Sequence, residues 1–123
     1  LASFISPFKK DRENIKSLFK ENDFLEIYVK TDIEEAKKRD PKGLYKKAIA
    51  GEIPNFTGID SPYEEPTNPD IIIDTIKLTP DEAVDIILKF IYNTHISNLH
   101  QKRNYRTLDL FYLLLNNYLL TNY

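Results

Sequence analysis

The stretch DPKGLYKKAIAGEIPNFTGIDSPYE, residues 40–64, decides the interpretation of this chain. It contains all three glycines of the protein, Gly43, Gly51 and Gly58, among lysines, Asn, Thr and aromatic residues. A strand or a core helix does not have such a mixture. A long ordered connection of this kind in a compact domain is typical of a lid or a binding loop.

Length and composition restrict the class of protein. The chain has 123 residues, which is enough for one domain or part of one. Its net charge of -2 argues against a protein that binds nucleic acid by neutralising phosphates. The absence of cysteine excludes disulfides and thiolate metal sites, and it fits a cytoplasmic protein. No tract reaches the roughly 18–20 apolar residues that a membrane span needs.

Apolar periodicity and capping residues predict alternating strands and helices. Strands are predicted at residues 1–5, 24–29 and 71–73, and helices at residues 9–22, 33–38, 44–50 and 80–93. The first and last strands are predicted to be buried. Thr79, followed by Pro80 and two acids, predicts the N-cap of the last helix. This order is that of a parallel α/β sheet whose central strands are missing from the chain.

Residues 94–123 differ in character from the rest. They contain three basic residues and one acidic residue, whereas the preceding part is net negative. Tyr105 to Leu120 is predicted to form a helix with leucines and Phe111 on one side. A C-terminal extension, a linker and translation past a frameshift remain open as its origin. We expect this tail to be dispensable for the fold of residues 1–93.

Residues 40–64 and the run FISPF at residues 4–8 resemble the lid and a substrate motif of the adenylylsulfate (APS) kinases. The resemblance covers about residues 1–92. It implies an α/β fold: part of a parallel-sheet P-loop kinase fold similar to the nucleoside-monophosphate kinases, with a lid at 40–64 and an α-helical tail. Residues 1–93 would be the C-terminal part of the kinase domain, and residues 94–123 a divergent tail.

The same resemblance implies an activity and its partners. The complete enzyme would transfer the γ-phosphate of ATP to the 3′-hydroxyl of APS, using Mg²⁺, to give PAPS and ADP in sulfate assimilation. We expect a cytoplasmic homodimer, in some relatives fused to ATP sulfurylase, that binds neither nucleic acid nor membrane. The alternative, from another class, is a non-catalytic nucleotide-binding or dimerising remnant whose tail is an interaction helix.

A phosphate-binding loop of the form Gly-x-x-x-x-Gly-Lys-Ser/Thr is absent from the sequence. No Gly-Lys pair occurs, no glycine precedes Gly43, and the sequence begins at Leu1 rather than Met. We therefore expect the chain to be the C-terminal half of a kinase and to be inactive by itself.

Two positions in the resemblance are candidate catalytic residues, Ser6 and Lys42. In the family, backbone at the positions of Ile5 and Ser6 contacts APS, and the serine is phosphorylated in some members, which adds charge at the site. The simpler interpretation is that Ser6 and Pro7 end a strand. Lys42 matches a lid lysine that contacts APS, where a mobile ammonium would stabilise charge.

Three further residues are assigned to nucleotide bases by the resemblance. Arg39 would lie against the ATP adenine, and we favour this role over the alternative of a solvated helix end. Asn55 and Phe56 would meet APS, with the phenyl ring stacked on adenine. Tyr45 and Tyr63 are expected to be packing residues, Lys46 and Lys47 to face solvent, and no metal site is expected.

The chain also departs from the family pattern. Ile49 and Pro54 stand where relatives commonly have basic residues, which would weaken the electrostatic contacts of the lid. Lys30 and Asp32 replace the usual Asp and Pro after the second strand.

Overall fold

A computed structural model describes residues 2–20 and 23–96, which form two compact units. The first unit is residues 2–72, and the second begins at Ile73. In chain order the elements are α1 (Lys9–Lys16), β1 (Ile27–Lys30), α2 (Ile33–Arg39), α3 (Leu44–Ile49), β2 (Ile71–Asp74), α4 (Pro80–Ile91) and a π-helical turn (Tyr92–Ile96).

The sheet of the described residues is small and parallel, with β1 beside β2. Asp70 aligns the two strands where they begin. The backbone N–H groups of Asp70 and Ile71 both donate to the Glu26 carbonyl, at 3.0 and 3.2 Å. The Asp70 carboxylate in turn accepts the Glu26 N–H at 2.8 Å. This reciprocal pairing sets the register of the sheet.

Burial along β2 alternates, as expected for a strand whose two faces differ. Ile71 and Ile73 are buried, whereas the side chain between them, Ile72, is 56% exposed. The prediction of a strand here is confirmed, whereas the prediction that it is buried is wrong at Ile72.

Residues 2–5 do not form the predicted buried strand. The described sheet has two strands, and neither pairs with this segment. Phe4 and Ile5 are 82% and 67% exposed. Strand conformation is stable only when its backbone groups are paired, so aromatic and branched residues alone did not produce a strand here.

Helix α1 is shorter than predicted and ends at Lys16, with two backbone turns beyond it. Its apolar spacing is real, yet none of its residues is buried. Leu18 and Phe19 lie past the helix, and Phe19 packs on Phe24 with ring centroids 5.3 Å apart. Within the described part of the chain, the apolar side of α1 is therefore largely uncovered.

Helices α2 and α4 begin directly after their N-cap residues, Asp32 and Thr79, and the cap by Thr79 confirms the prediction. The Asp32 carboxylate accepts the backbone N–H groups of Glu34 and Glu35, which explains why an aspartate suits this position. At α4, the Thr79 hydroxyl accepts the Glu82 N–H, and the Glu82 carboxylate accepts the Thr79 N–H. These hydrogen bonds from Thr79 lower the pKa of Glu82 against a smaller opposing effect of burial.

Helix α4 buries one face, formed by Ala83, Val84 and Ile87. The helical path continues past the predicted end at Asn93, through the π-helical turn to Ile96, and the Thr94 hydroxyl donates to the Phe90 carbonyl at 2.7 Å. The predicted helix at 105–120 and both histidine side chains lie outside what the structure describes. No helix in the described residues is long and apolar enough to cross a membrane.

We expect Thr79→Ala to lower the free energy of unfolding by about 1 kcal/mol, because the Glu82 N–H loses the Thr79 hydroxyl as its acceptor. Thr79→Ser should be nearly neutral, since it keeps the hydroxyl. Urea denaturation followed by far-UV circular dichroism measures both, with the exposed Asp85→Asn as a control in the same helix. Equal effects of Ala and Ser at position 79 would contradict the capping role.

Candidate functional site

The N-terminus of α3 is capped from outside the helix. Its N-cap residue is Gly43, at φ +66°, which has no side chain to offer. The Asp40 carboxylate supplies the missing acceptor and receives the N–H groups of Tyr45 and Lys46 at 3.1 and 3.0 Å. Partial burial raises the pKa of Asp40, but these backbone hydrogen bonds outweigh it and hold the pKa below its usual value. Asp40 is thus charged at neutral pH.

Lys42 lies in the three-residue bridge between Asp40 and α3. Its side chain is exposed, as are those of Lys46 and Lys47. The backbone on both sides of it is fixed, because Asp40 binds the helix and the Gly43 N–H donates to the Asp40 carbonyl at 3.0 Å. The Lys42 ammonium group is therefore carried by an exposed side chain on a backbone of fixed position.

Arg39, the last residue of α2, pairs with Glu35 one turn earlier. Its Nε lies 2.9 Å from Glu35 Oε1, and both side chains are 28% exposed. This pair orients the guanidinium group along the helix. Such an i, i+4 ion pair contributes only about 0.2–0.5 kcal/mol to a helix.

Asn55 and Phe56 begin a tight turn that Asp60 holds closed. The two carboxylate oxygens of Asp60 accept the N–H groups of Asn55, at 2.8 Å, and Phe56, at 2.5 Å. The Phe56 carbonyl accepts N–H groups from residues 59, 60 and 61 at 3.0–3.2 Å. Asn55 itself has φ +58°, a left-handed conformation that Asn tolerates better than most residues.

The turn is packed on both sides. The rings of Phe56 and Tyr45 meet edge to face, with centroids 5.0 Å apart and an interplanar angle of 71°. On the other side Gly58, at φ +85°, lies against Ile33 of α2, and a Cβ there would be 2.8 Å from Ile33 Cδ1. Contacts from α2 and α3 therefore fix the position of the Phe56 ring, which remains half-buried.

Ser6 belongs to a second cluster, which is centred on Arg12. Ser6 has φ +41°, an uncommon backbone conformation for a residue other than glycine. Its carbonyl accepts a hydrogen bond from Arg12 Nη1 at 2.5 Å, and Arg12 Nη2 donates to the Glu64 carbonyl at 2.6 Å. The Glu64 N–H donates to the Pro7 carbonyl at 2.8 Å. Ser6 is thereby joined to the C-terminal end of the 40–64 segment.

An aromatic and acidic layer surrounds Arg12. The guanidinium lies 5.9 Å from the centroid of Tyr63, and Arg12 Nε is 3.2 Å from Glu26 Oε1. Tyr63 stacks on Tyr28 with centroids 6.2 Å apart. Burial, the adjacent Glu65 carboxylate and Tyr63 together raise the pKa of Tyr28 to about 12, so its hydroxyl stays protonated. Tyr45 and Tyr63 are packing residues, as the sequence predicts.

Comparison with known proteins assigns the family. The family described as Adenylylsulphate kinase matches residues 1–74. The chain is 54% identical over 91 residues to an adenylyl-sulfate kinase of Geotalea uraniireducens, covering 74% of this chain and 44% of that protein. It is 59% identical over 91 residues to an adenylyl-sulfate kinase of Thermodesulfovibrio yellowstonii, covering 74% of this chain and 46% of that protein.

The chain belongs to the adenylylsulphate kinase family. The resemblance found in residues 4–8 and 40–64 is confirmed at this level. The chain spans about half the length of the curated relatives it matches. A probable adenylyl-sulfate kinase of Halalkalibacterium halodurans, 53% identical over 90 residues, shows the same partial coverage, with 73% of this chain and 45% of that protein.

Against this family background, the predicted site residues fall into two clusters. Phe56 and Asn55 are held by Asp60 and Tyr45, and Ser6 is held by Arg12 and Glu64. Ile5 is exposed beside Ser6, while Lys42 and Arg39 flank the Asp40 cap. The binding roles of these residues stay predictions.

The residues that position the site, Arg12 and Asp60, are not among the site residues that the sequence predicts. Asp60 lies four residues after Phe56, a spacing at which an Asp side chain can reach back to backbone N–H groups. That signal was available, whereas the partners of Arg12 at positions 6, 26 and 64 follow no local rule.

We expect Asp60→Ala to release the turn that carries Phe56 in this adenylylsulphate kinase family member, because two N–H groups lose a charged acceptor. Amide hydrogen exchange at Asn55 and Phe56 should accelerate by about tenfold or more, since such local opening is governed by these bonds. Exchange at Val84 in α4 should stay unchanged. The exposed Glu52→Ala is the control within the segment. Unchanged protection at Phe56 would contradict the role of Asp60.

Proposed function

We propose that the complete protein containing this chain is an adenylyl-sulfate kinase, which transfers the γ-phosphate of ATP to the 3′-hydroxyl of adenosine 5′-phosphosulfate and forms PAPS and ADP for sulfate assimilation. The observation that carries this proposal is the 50–59% identity to proteins named as such enzymes. In this proposal the chain contributes a lid, residues 40–64, and part of the APS pocket.

The Phe56 turn is proposed as the adenine platform for APS. The ring is half-buried and packs edge to face with Tyr45, so it keeps one orientation and still has exposed surface. Stacking of a base on an aromatic ring is worth about 1–3 kcal/mol by truncation. Asn55, exposed and fixed by Asp60, is proposed to contact the same ligand.

Lys42 is proposed to stabilise charge on the transferred phosphate, and Arg39 is proposed to bind the ATP adenine. Phosphoryl transfer gains chiefly from positioning and from charge stabilisation, which suits an exposed ammonium on a fixed bridge. Arg39 keeps its guanidinium edge on Glu35, and a planar guanidinium can bind by its edge while an aromatic base covers its face. We assign the ATP adenine to that face.

The backbone of Ile5 and Ser6 is proposed to contact APS. Ser6 is also proposed as a regulatory phosphorylation site. Ser6 is half-buried, and its left-handed backbone turns the chain sharply between Ile5 and Pro7. Phosphorylation of Ser6 would add negative charge and acceptor oxygens at the pocket. The adjacent carbonyl is already occupied by Arg12, so a phosphate would meet a cation nearby.

The proposal includes Mg²⁺ as a partner of the ATP phosphates. The described residues contain no group of three or more His or carboxylate side chains suited to a metal ion, so no step is assigned to Mg²⁺ here. We also propose a cytoplasmic homodimer, with fusion to ATP sulfurylase in some forms. The alternative of a non-catalytic remnant is not favoured, because the relatives are named as kinases.

A chimeric enzyme tests this function. The segment of the Geotalea uraniireducens kinase that matches this chain would be replaced by the matching 91 residues of this chain. We expect the chimera to phosphorylate APS with ATP and Mg²⁺ in a coupled assay of ADP release. The 123-residue chain by itself serves as the negative control. A folded chimera without turnover would count against the proposal.

In that chimera, Phe56→Ala should raise the KM for APS by about tenfold, the equivalent of 1.4 kcal/mol, and leave the KM for ATP nearly unchanged. The reason is that the ring is assigned to the APS adenine alone. Phe19→Ala, which removes another exposed phenyl ring, one to which no binding role is assigned, is the matched control. Equal changes in both KM values would contradict the assignment of Phe56.

The tail is proposed to be dispensable, with the boundary moved from Asn93 to the end of the described helical path at Ile96. The family match ends at residue 74, and the relatives match about 91 residues. Deleting residues 97–123 should therefore leave the melting temperature of the chain nearly unchanged by calorimetry. A fall of more than about 5 °C, on the order of 1 kcal/mol in a small domain, would show that the tail stabilises the fold.

A further inference from the structure

Arg12 is the most heavily engaged charged side chain among the described residues, and no binding role is assigned to it above. We propose that Arg12 is a positioning residue for APS: it fastens the Ser6 segment to the C-terminal end of the 40–64 segment, so that both halves of the APS pocket keep a fixed separation. This inference rests on the proposed function. It concerns how the pocket is assembled rather than which groups touch the ligand.

The Arg12 guanidinium donates to two backbone carbonyls at once, and we call this arrangement the Arg12 fork. Nη1 donates to the Ser6 carbonyl at 2.5 Å and Nη2 donates to the Glu64 carbonyl at 2.6 Å. The two acceptors are 58 residues apart in sequence. Two further hydrogen bonds run in parallel: the Glu64 N–H donates to the Pro7 carbonyl, and the Lys9 N–H donates to the Glu64 carboxylate at 2.7 Å.

The environment of Arg12 makes these contacts costly to lose. Its side chain is only 12% exposed, so removal of the guanidinium leaves carbonyls and the Glu26 carboxylate short of a partner. Glu26 Oε1 is itself buried and, although close to Arg12 Nε, has no partner in hydrogen-bond geometry. The charge of Arg12 is therefore the main compensation that this buried carboxylate oxygen has.

A lysine cannot replace this arrangement. A guanidinium is planar and presents donors along two edges, so it can bind two carbonyls and lie near Tyr63 at the same time. An ammonium group would keep the attraction to Glu26 but serve the backbone at one point. Arg12→Lys thus keeps the positive charge at this position but removes the simultaneous hydrogen bonds to two carbonyls.

The left-handed backbone of Ser6 depends on this contact. A non-glycine residue at φ +41° is strained by about 1 kcal/mol or more, and such a conformation persists only where neighbours impose it. The Arg12 fork holds the carbonyl of that same residue. Loss of the fork should let residues 4–8 relax, which moves the proposed APS contacts without removing any of them.

The first experiment uses the full chain and needs no activity. Hydrogen exchange is compared in wild type, Arg12→Lys, Arg12→Gln and the exposed control Lys16→Gln. We expect the amides of Lys9 and Glu64 to exchange about tenfold faster in both Arg12 variants, with Val84 unchanged as a reporter of folding. Wild-type protection of Lys9 and Glu64 in Arg12→Lys would overturn the fork. That variant also decides the matter if Arg12→Gln fails to fold.

The second experiment places the same variants in the chimeric kinase. We expect Arg12→Lys to raise the KM for APS about tenfold and the KM for ATP less than twofold, a split that general destabilisation would not produce. Equal rises in both KM values, or none, would overturn the positioning role. If the unsubstituted chimera is inactive, the proposed function fails, and the exchange result then decides the Arg12 fork alone.

Discussion

The guanidinium of Arg12 is the contact on which the first unit depends. It is a nearly buried charge that joins backbone at residues 6 and 64 and faces the carboxylate of Glu26 immediately before the sheet begins. The sheet formed by residues 27–30 and 71–74, the two strands of the described part of the chain, supplies little stabilisation by itself. The connections that enter and leave the sheet are therefore ordered by charge-assisted hydrogen bonds more than by apolar burial.

Hydrogen bonds to a carboxylate also order the Phe56 turn and α3. Each is fixed by one carboxylate that accepts two backbone N–H groups, Asp60 in the turn and Asp40 at the helix. Carboxylates serve well here because they offer two oxygens, each of which can accept a backbone N–H. The 40–64 segment is consequently an ordered arrangement of a short helix, close to the one predicted at residues 44–50, and a tight turn.

Much of the fold could be predicted from the sequence because its signals are local. Asp32 and Thr79 mark helix starts within three residues of the groups they cap, and β1 and β2 were predicted from composition. The error at residues 2–5 has the opposite origin, since a strand requires a partner that composition does not specify. The family could be recognised from residues 4–8 and 40–64, whereas the Arg12 cluster could not, because its partners are distant in sequence.

The cap of α3 by Asp40 has a consequence for chain length. Because the capping residue stands three positions before the N-cap, the bridge Pro41–Gly43 must have the span that lets one carboxylate reach Tyr45 and Lys46. An insertion or deletion of a single residue there would both uncap α3 and displace Lys42. The cap therefore depends on the number of residues in this bridge and not on the exposed side chains of Pro41 and Lys42.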